Sequence, residues 1–221
     1  MLCVRCGARA VPTAATFREI VGAMGELLAQ GKIRGYGACN DNAVGLMGMH
    51  AAAKELVAAI GDSDTVVIDA STAYRTADGW DYGFAEMTKT QGAAIAASKR
   101  VSNPGCYPQG VIACLRPLIE AGLLPADYPV TINAISGYSG GGRQMIEAYE
   151  APGANKPPYL PYGLGFRHKH LPELTQYATL ASTPIFIPSV GNYAQGMVTS
   201  VPLRLETLAK VPTGAEPESM W

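Results

Sequence analysis

Apolar residues in TFREIVGAMGELLAQGK fall at Phe17, Ile20, Val21, Met24, Leu27 and Leu28, offsets of 3, 4, 7, 10 and 11 that trace one face of a helix. Thr16 with Glu19 forms a capping box at its start, and Gly31 supplies a C-terminal stop. KIRGYGAC then predicts a short strand, and an Asp41/Asn42 cap opens an alanine-rich helix over about residues 43–59. In TVVIDA, residues 65 to 70, a continuous β-branched run bounded by Asp64 and Ser71 predicts a strand buried on both faces of a parallel sheet. The order of these patterns is that of an α/β protein.

Further along, residues 90 to 99 are expected to be helical, Arg100 to Ser102 extended, and Gln109 to Ala121 a helix ended by Gly122 with Pro125 beyond. PVTINAI predicts another buried strand, running into SGYSGGGR and a short helix that carries Met145, Ile146 and Tyr149. PGANKPPYLPYGLGF is too rich in Pro and Gly to predict a regular element. HKHLPEL opens a helix to about Leu180, and PIFIP and MVTSVPLRL predict strands. The polar tail VPTGAEPESMW is expected to fray. Composition shifts most between about residues 55 and 62.

Charge and composition narrow the partner. Lys plus Arg (17) nearly balances Asp plus Glu (18), without a basic stripe for nucleic acid, so a small-molecule partner is expected. No apolar run approaches the ~20 residues of a membrane span, and MLCVRCGARA lacks the apolar core of a secretory signal, so the expected address is the cytoplasm. Cysteines at 3, 6, 39, 106 and 114 form an odd set that suits reduced thiols. Cys3 and Cys6 make a CxxC, but no second pair follows at zinc spacing. No metal site is predicted, and the first residues are read as a disordered or mis-started terminus.

Three stretches carry candidate chemistry. In SNPGCYPQG, Cys106 lies just before a predicted helix, where unpaired N–H groups and the helix dipole stabilise a thiolate. Gly105 lets the backbone approach a ligand and Pro108 suits a first turn; the competing reading is a small buried hydrophobe in a tight turn. Cys114, among Ile112, Ala113 and Leu115, is expected in the core. In HKH, either His168 or His170 suits an acid/base partner for a thiol, and a metal pair would find only Glu173 nearby. His50 is read as structural. In SGYSGGGR a strand runs through serines and three glycines toward a helix, a turn whose backbone N–H groups suit a phosphate or oxyanion; Arg143 adds a cation.

SNPGCYPQG, with VIDASTAYR (67–75), YGFAEM (82–87), SGYSGGGRQM (136–145), GLGFRHKHLPE (163–173) and NYAQGM (192–197), resembles the short bacterial type of N-acetyl-gamma-glutamyl-phosphate reductase over about residues 57–205. The resemblance implies an incomplete Rossmann-like nucleotide domain plus a catalytic α+β domain of the semialdehyde and glyceraldehyde-phosphate dehydrogenase type. It also implies NADP(H)-dependent reduction of an acyl phosphate to a semialdehyde in arginine biosynthesis, through a thioester on Cys106 with His170 as acid/base. Ser139, Gly140, Gly141 and Gly142 would line the nicotinamide side, and Ser71, Arg75, Asn103 and Arg143 the substrate and phosphate side. A homo-oligomer is expected by the same resemblance.

The N-terminal quarter departs from that pattern. The family opens on a strand and a GxTGxxG turn, whereas GYGACN, residues 35–40, places Asn40 at the third glycine. Residues 19–47 resemble instead an aldo/keto reductase stretch, with coverage from about 12 to 57 and without the Asp, Tyr, Lys and His such enzymes use. The expected organisation is therefore an aldo/keto reductase-like helix–strand–helix over residues 1–57, a reductase catalytic domain over 58–205 and a frayed, truncated tail over 206–221. The alternatives are an inactive joined or truncated product and an aldo/keto reductase-type carbonyl reductase.

Overall fold

A computed structural model describes residues 65–204 without a break, together with Leu2–Arg5, Glu26, Gln30, Tyr36–Cys39, residues 53–55 and 57–58, Glu206 and Leu208. The chain divides into two compact units. The first comprises Met1–Ala85, Thr90–Pro104 and Gly141–Ala154, and the second Glu86–Lys89, Gly105–Gly140 and Asn155–Trp221.

In the first unit, strand β1 (Leu2–Arg5) pairs in parallel with β2 (Tyr36–Cys39), in register from Leu2↔Tyr36 to Arg5↔Cys39. An ordered strand therefore stands where a disordered terminus was expected, because LCVR finds a parallel partner remote in sequence. KIRGYGAC is a strand at its second half. The helix expected from Thr16 lies outside the described residues except for one helical bond, Gln30 N–H to Glu26 O at 2.9 Å. The alanine-rich helix is seen at residues 53–55 and 57–58.

β3 (Val67–Asp69), β4 (Asp81–Tyr82) and β5 (Arg100–Ser102) form a parallel sheet in the order β3-β5-β4. Parallel pairing matches the expectation for TVVIDA, but burial on both faces does not: Val66 and Ile68 are 59% and 56% exposed, while Asp69 is buried. A β-branched run signals strand conformation; which faces are covered depends on neighbours the run does not encode. Helix α1 (Gln91–Ala97) precedes β5, and Gln91 Nε2 donates to Tyr82 O at 2.7 Å, tying the helix start to β4.

The second unit is built on helix α2 (Cys106–Glu120) and a mixed sheet of β6 (Thr131–Gly137), β7 (Tyr159–Pro161), β8 (Ile185–Gly191) and β9 (Met197–Ser200), in the order β7-β8-β6-β9. β6 and β8 run parallel, and β7 and β9 are antiparallel additions at the two sides. β7 corrects the expectation that residues 152–166 hold no regular element. Tyr159–Pro161 is an outer strand in this sheet, where Pro161 can sit without a donor. Helix α3 (Arg143–Glu150) belongs to the first unit and α4 (Leu171–Tyr177) to the second.

α2 begins at Cys106, a turn's breadth earlier than the periodicity predicts. Pro104 biases Asn103 toward extended backbone, Gly105 is extended (φ −68°, ψ 154°), and Pro108 falls in the first turn, where no intrahelical donor is needed. The helix ends as expected: Gly122 is left-handed (φ 69°), with Gly122 N–H donating to Ile119 O and Leu123 N–H to Leu118 O. Val111, Ile112 and Leu115 face the core and are at most 1% exposed, each worth roughly 1.5–3 kcal/mol of burial. Ile132 and Ala134 of β6, Phe186 of β8 and Leu174 of α4 belong to the same buried set. Cys114 instead lies on the exposed side of α2, so its expected place in the core is corrected. Its neighbours Val111, Ile112 and Leu115 occupy the buried face, and position 114 falls outside that stripe.

Among the described residues, no helix is long and apolar enough to cross a membrane.

Candidate active site

Two helices of the second unit, α2 and α4, bring a thiol, an imidazole and a carboxylate into sequence. Cys106, the first residue of α2, is exposed, and its Sγ lies 3.9 Å from Nε2 of His170. His170 caps α4, and its Nδ1 lies 2.6 Å from Oε1 of Glu173, one turn into the helix. His170 and Glu173 are 3% and 1% exposed. A carboxylate only accepts, so Nδ1 carries the proton and Nε2 is the nitrogen left facing sulfur. The other carboxylate oxygen, Oε2, accepts the Gly105 N–H at 2.9 Å. One buried carboxylate thus orients the histidine and anchors the residue before Cys106. A β-carbon at Gly105 would collide with the His170 ring and the Glu173 carboxylate, so glycine there is a requirement of the close approach.

Glu173 escaped the sequence reading except as a metal ligand. Its i, i+3 spacing from His170, at the start of a helix, was the available signal.

His168 has a different part. Its Nδ1 accepts the backbone N–H of His170 at 3.2 Å, its ring lies 4.8 Å from that of His170, and it meets Phe186 edge-on at 4.9 Å. Burial, and then electrostatic coupling to His170 and to Lys169, hold its pKa down to about 4, so it is neutral at pH 7 and fit to accept that N–H. Of the two histidines, His170 is the one whose Nε2 faces the Cys106 sulfur.

Tyr107, directly after the cysteine, ties α2 to the sheet. Its hydroxyl shares hydrogen bonds with Ser136 Oγ (2.9 Å) and Ser189 O (3.2 Å), and burial pushes its phenol pKa up. Ser136 is the penultimate residue of β6, so the turn that follows starts one hydrogen bond from the residue next to Cys106.

That turn is a short 3-10 helix, Tyr138–Gly141, followed by Gly142 at φ 77°. Its expected supply of backbone donors is corrected in part. The N–H groups of Gly137, Tyr138 and Ser139 donate to the carbonyls of Gly196, Tyr193 and Ala194, so the NYAQGM loop takes them. Arg143, at the start of α3, bonds Glu147 at 2.6 Å on an exposed face.

Ser71, Arg75 and Asn103 come together in the first unit, at the C-terminal ends of β3 and β5. Ser71 Oγ donates to Asp69 Oδ2 (2.8 Å) and accepts the Ala73 N–H (3.0 Å), Arg75 Nε donates to Asn103 O (2.9 Å), and Asn103 N–H donates to Asp69 O (2.7 Å). The C-terminal ends of parallel strands are where α/β sheets bind ligands. Asp69 organises this cluster and was not singled out from the sequence; its place as the last residue of a strand was the signal.

A cavity of about 810 Å³ beside α4 is walled by residues including Arg167, His168, Thr175, Gln176 and Thr183. Cys106 and His170 are absent from its walls.

With this geometry in view, residues 106–216 match the semialdehyde dehydrogenase dimerisation domain, a match that begins at the cysteine itself. The chain belongs to this family. Among curated proteins it is 64% identical over 165 residues to the N-acetyl-gamma-glutamyl-phosphate reductase of Mesorhizobium japonicum, covering 75% of this chain and 54% of that one. It is 56% identical over 158 residues to the N-acetyl-gamma-glutamyl-phosphate reductase 2 of Pseudomonas putida, covering 71% and 50%. The chain spans about half the length of these relatives. Aspartate semialdehyde dehydrogenase from Francisella tularensis shares the fold at a TM-score of 0.59 and 11% identity, over 99% of this chain and 70% of that one. The Vibrio cholerae aspartate semialdehyde dehydrogenase II does so at 0.54 and 14%, over 84% and 58%. The α/β semialdehyde dehydrogenase-type fold expected from the motifs is the one observed.

Proposed function

We propose that this chain carries the thiol chemistry of an N-acetyl-gamma-glutamyl-phosphate reductase, converting N-acetyl-gamma-glutamyl phosphate to N-acetylglutamate semialdehyde in arginine biosynthesis. The observation that carries the reading is the Cys106–His170–Glu173 alignment, with Sγ 3.9 Å from Nε2 and Nδ1 held by a buried carboxylate. The identity to named reductases over 165 residues supports the substrate.

In this reading the Cys106 thiol gives its proton to His170 Nε2 and sulfur attacks the acyl carbon, expelling phosphate and leaving a thioester. Glu173 stabilises the imidazolium and keeps Nε2 aimed at the reacting atoms. The N–H groups of Cys106 and Tyr107 open α2, where no preceding carbonyl of the helix can accept from them, and they suit the oxyanion that forms during attack. Once the acyl carbon is reduced, His170 would give its proton to the oxygen of the adduct on sulfur and take it back as the C–S bond breaks, the electron pair returning to sulfur and the semialdehyde leaving. A nicotinamide cofactor, NADPH in this reading, supplies the hydride when bound.

Ser139, Gly140, Gly141 and Gly142 are the residues proposed to hold the nicotinamide. The turn fits a flat ring because three successive positions lack side chains, and because Tyr107 bonds Ser136 at its base. Ser71, Arg75, Asn103 and Arg143 are proposed for the substrate and its phosphate, with Arg75 the buried cation of its cluster. Residues 58–205 would carry this chemistry, with 1–57, the stretch resembling aldo/keto reductases, where the cofactor-binding start is expected. Self-association is part of the reading, since the matching family is a dimerisation domain.

The test is NADPH oxidation by the chain with N-acetyl-gamma-glutamyl phosphate, in the wild type and in Cys106→Ala. The expected loss in Cys106→Ala is about 10³-fold or more. Turnover that persists without the thiol would overturn the assignment and favour a carbonyl reductase; failure to bind NADPH in a titration would overturn the reductase reading itself.

A further inference from the structure

The cavity beside α4 lies wholly in the second unit, and its volume of about 810 Å³ is that of a small-molecule site. Backbone strain gathers at its edge. Among the described residues, Phe166 (φ 52°) and Thr179 (φ 59°) are the two that are left-handed without being glycine. Phe166 directly precedes Arg167 of the wall, and Thr179 is itself part of the wall. α2 closes on Gly122 where α4 closes on Thr179, so this kind of helix end needs no side chain. Residues held under such strain cluster at binding and catalytic sites. The hydrogen-bonding balance of the wall then specifies a ligand. Arg167 brings a guanidinium that is exposed and, among the described residues, has no carboxylate partner. His168 is neutral at pH 7, so Arg167 carries the one charge of the wall, and its planar fork suits a carboxylate. Thr175 Oγ1 donates to Leu171 O (2.8 Å) and Thr179 Oγ1 to Ala178 O (2.7 Å), so both hydroxyls have placed their one proton and offer lone pairs to a ligand. Those lone pairs call for a donor, which an ammonium carries and a phosphate or simple carboxylate does not. Leu171 and Leu180, both buried, join Pro172 in an apolar side of the wall.

We propose that this cavity binds a free α-amino acid with a large apolar side chain. The carboxylate lies on Arg167, the ammonium on the hydroxyl oxygens of Thr175 and Thr179, and the side chain against Leu171, Pro172 and Leu180. Thr179 is kept at a left-handed position for the oxygen it presents, which accounts for a helix end that glycine would close with less strain. The site uses neither the thiol nor a nicotinamide, so it stands apart from the function proposed above.

The experiment is isothermal titration calorimetry of the full chain with L-phenylalanine, compared with phenethylamine, which lacks the carboxylate, and hydrocinnamate, which lacks the ammonium. Saturable binding of L-phenylalanine is expected, weakened about 10-fold or more when either charged group is missing, as for loss of a charge-assisted hydrogen bond. Arg167→Gln and Thr179→Gly are each expected to weaken it about 10-fold, while Thr179→Ser, which keeps the oxygen, retains it. Thr179→Gly relieves the strain, so its urea midpoint is not lowered, and weaker binding in that variant is not a loss of fold. Alkylating Cys106 with iodoacetamide beforehand should leave the titration unchanged. A titration lost on alkylation would place the ligand at the thiol and overturn the site. No saturable heat with L-phenylalanine, equal binding of hydrocinnamate or phenethylamine, or binding that Arg167→Gln and Thr179→Gly leave unaltered would each overturn it as well.

Discussion

Gly105 is held on two sides, its N–H on Glu173 and the space beside its Cα filled by the His170 ring. Gly105→Ala is expected to cost roughly 1–3 kcal/mol, as overpacked cores do, and to slow alkylation of Cys106 by iodoacetamide. Urea unfolding and alkylation rates check this, and an unchanged rate would count against the alignment. His168 offers a pH test. Its folded pKa of about 4 lies below the ordinary 6.5, so between those values the unfolded chain binds a proton that the folded chain refuses. Stability from this group is full above pH 6.5 and falls as the pH drops toward 4. The groups that set the shift are His170, Lys169 and Glu173, after burial itself. His168→Asn keeps an acceptor for the His170 N–H without titrating, and should flatten the urea midpoint against pH across that window. At this scale the cysteine at a helix start and a histidine near it were legible as candidates, because each residue type has few uses beside a glycine-rich turn. Glu173 and Asp69 were not, since a carboxylate gains its role from what it touches.

Helix α4 presents both His170 and Glu173, and it ends under strain. Thr179 adopts φ 59° at the position where α2 has Gly122, with Thr179 N–H on Gln176 O and Leu180 N–H on Thr175 O. A β-branched residue in the left-handed region costs roughly 1–2 kcal/mol. Thr179→Gly should therefore raise stability by about 1 kcal/mol after the extra chain entropy of glycine is counted, read as a higher urea midpoint. No change would mean that the Thr179 hydroxyl, on Ala178 O at 2.7 Å, offsets the strain. Elements with a period in their apolar residues were legible: α2, α4, β6 and β8 all form at the predicted stretches, with α2 opening a turn earlier and α4 ending about a turn sooner than the pattern put them. β7 was not, because a three-residue outer strand rich in proline has no period to read and exists only by pairing with β8.

Over the whole molecule, the mixed sheet of the second unit has one face against α2 and one face without it. Strand pairing puts Ile185 with Thr131, and Val198 with Ile135, on that second face, where Ile185 is 49% and Val198 58% exposed. The proposed self-association predicts that Val198→Lys, which sets a charge on this face, shifts the chain toward monomer in sedimentation velocity while leaving far-ultraviolet dichroism unchanged. An unaltered sedimentation profile would place the contact elsewhere. The sequence by itself determined the α/β class, the family motifs and the thiol at a helix start with two candidate histidines for it, because helix and strand periods and turn chemistry are local properties. Only the tertiary structure decided which histidine faces the sulfur, that Glu173 stands behind it, that the N–H groups of Gly137, Tyr138 and Ser139 are already taken, and that Cys114 is exposed. Each of those depends on distance and burial between segments far apart in the chain, which no local pattern of residues records.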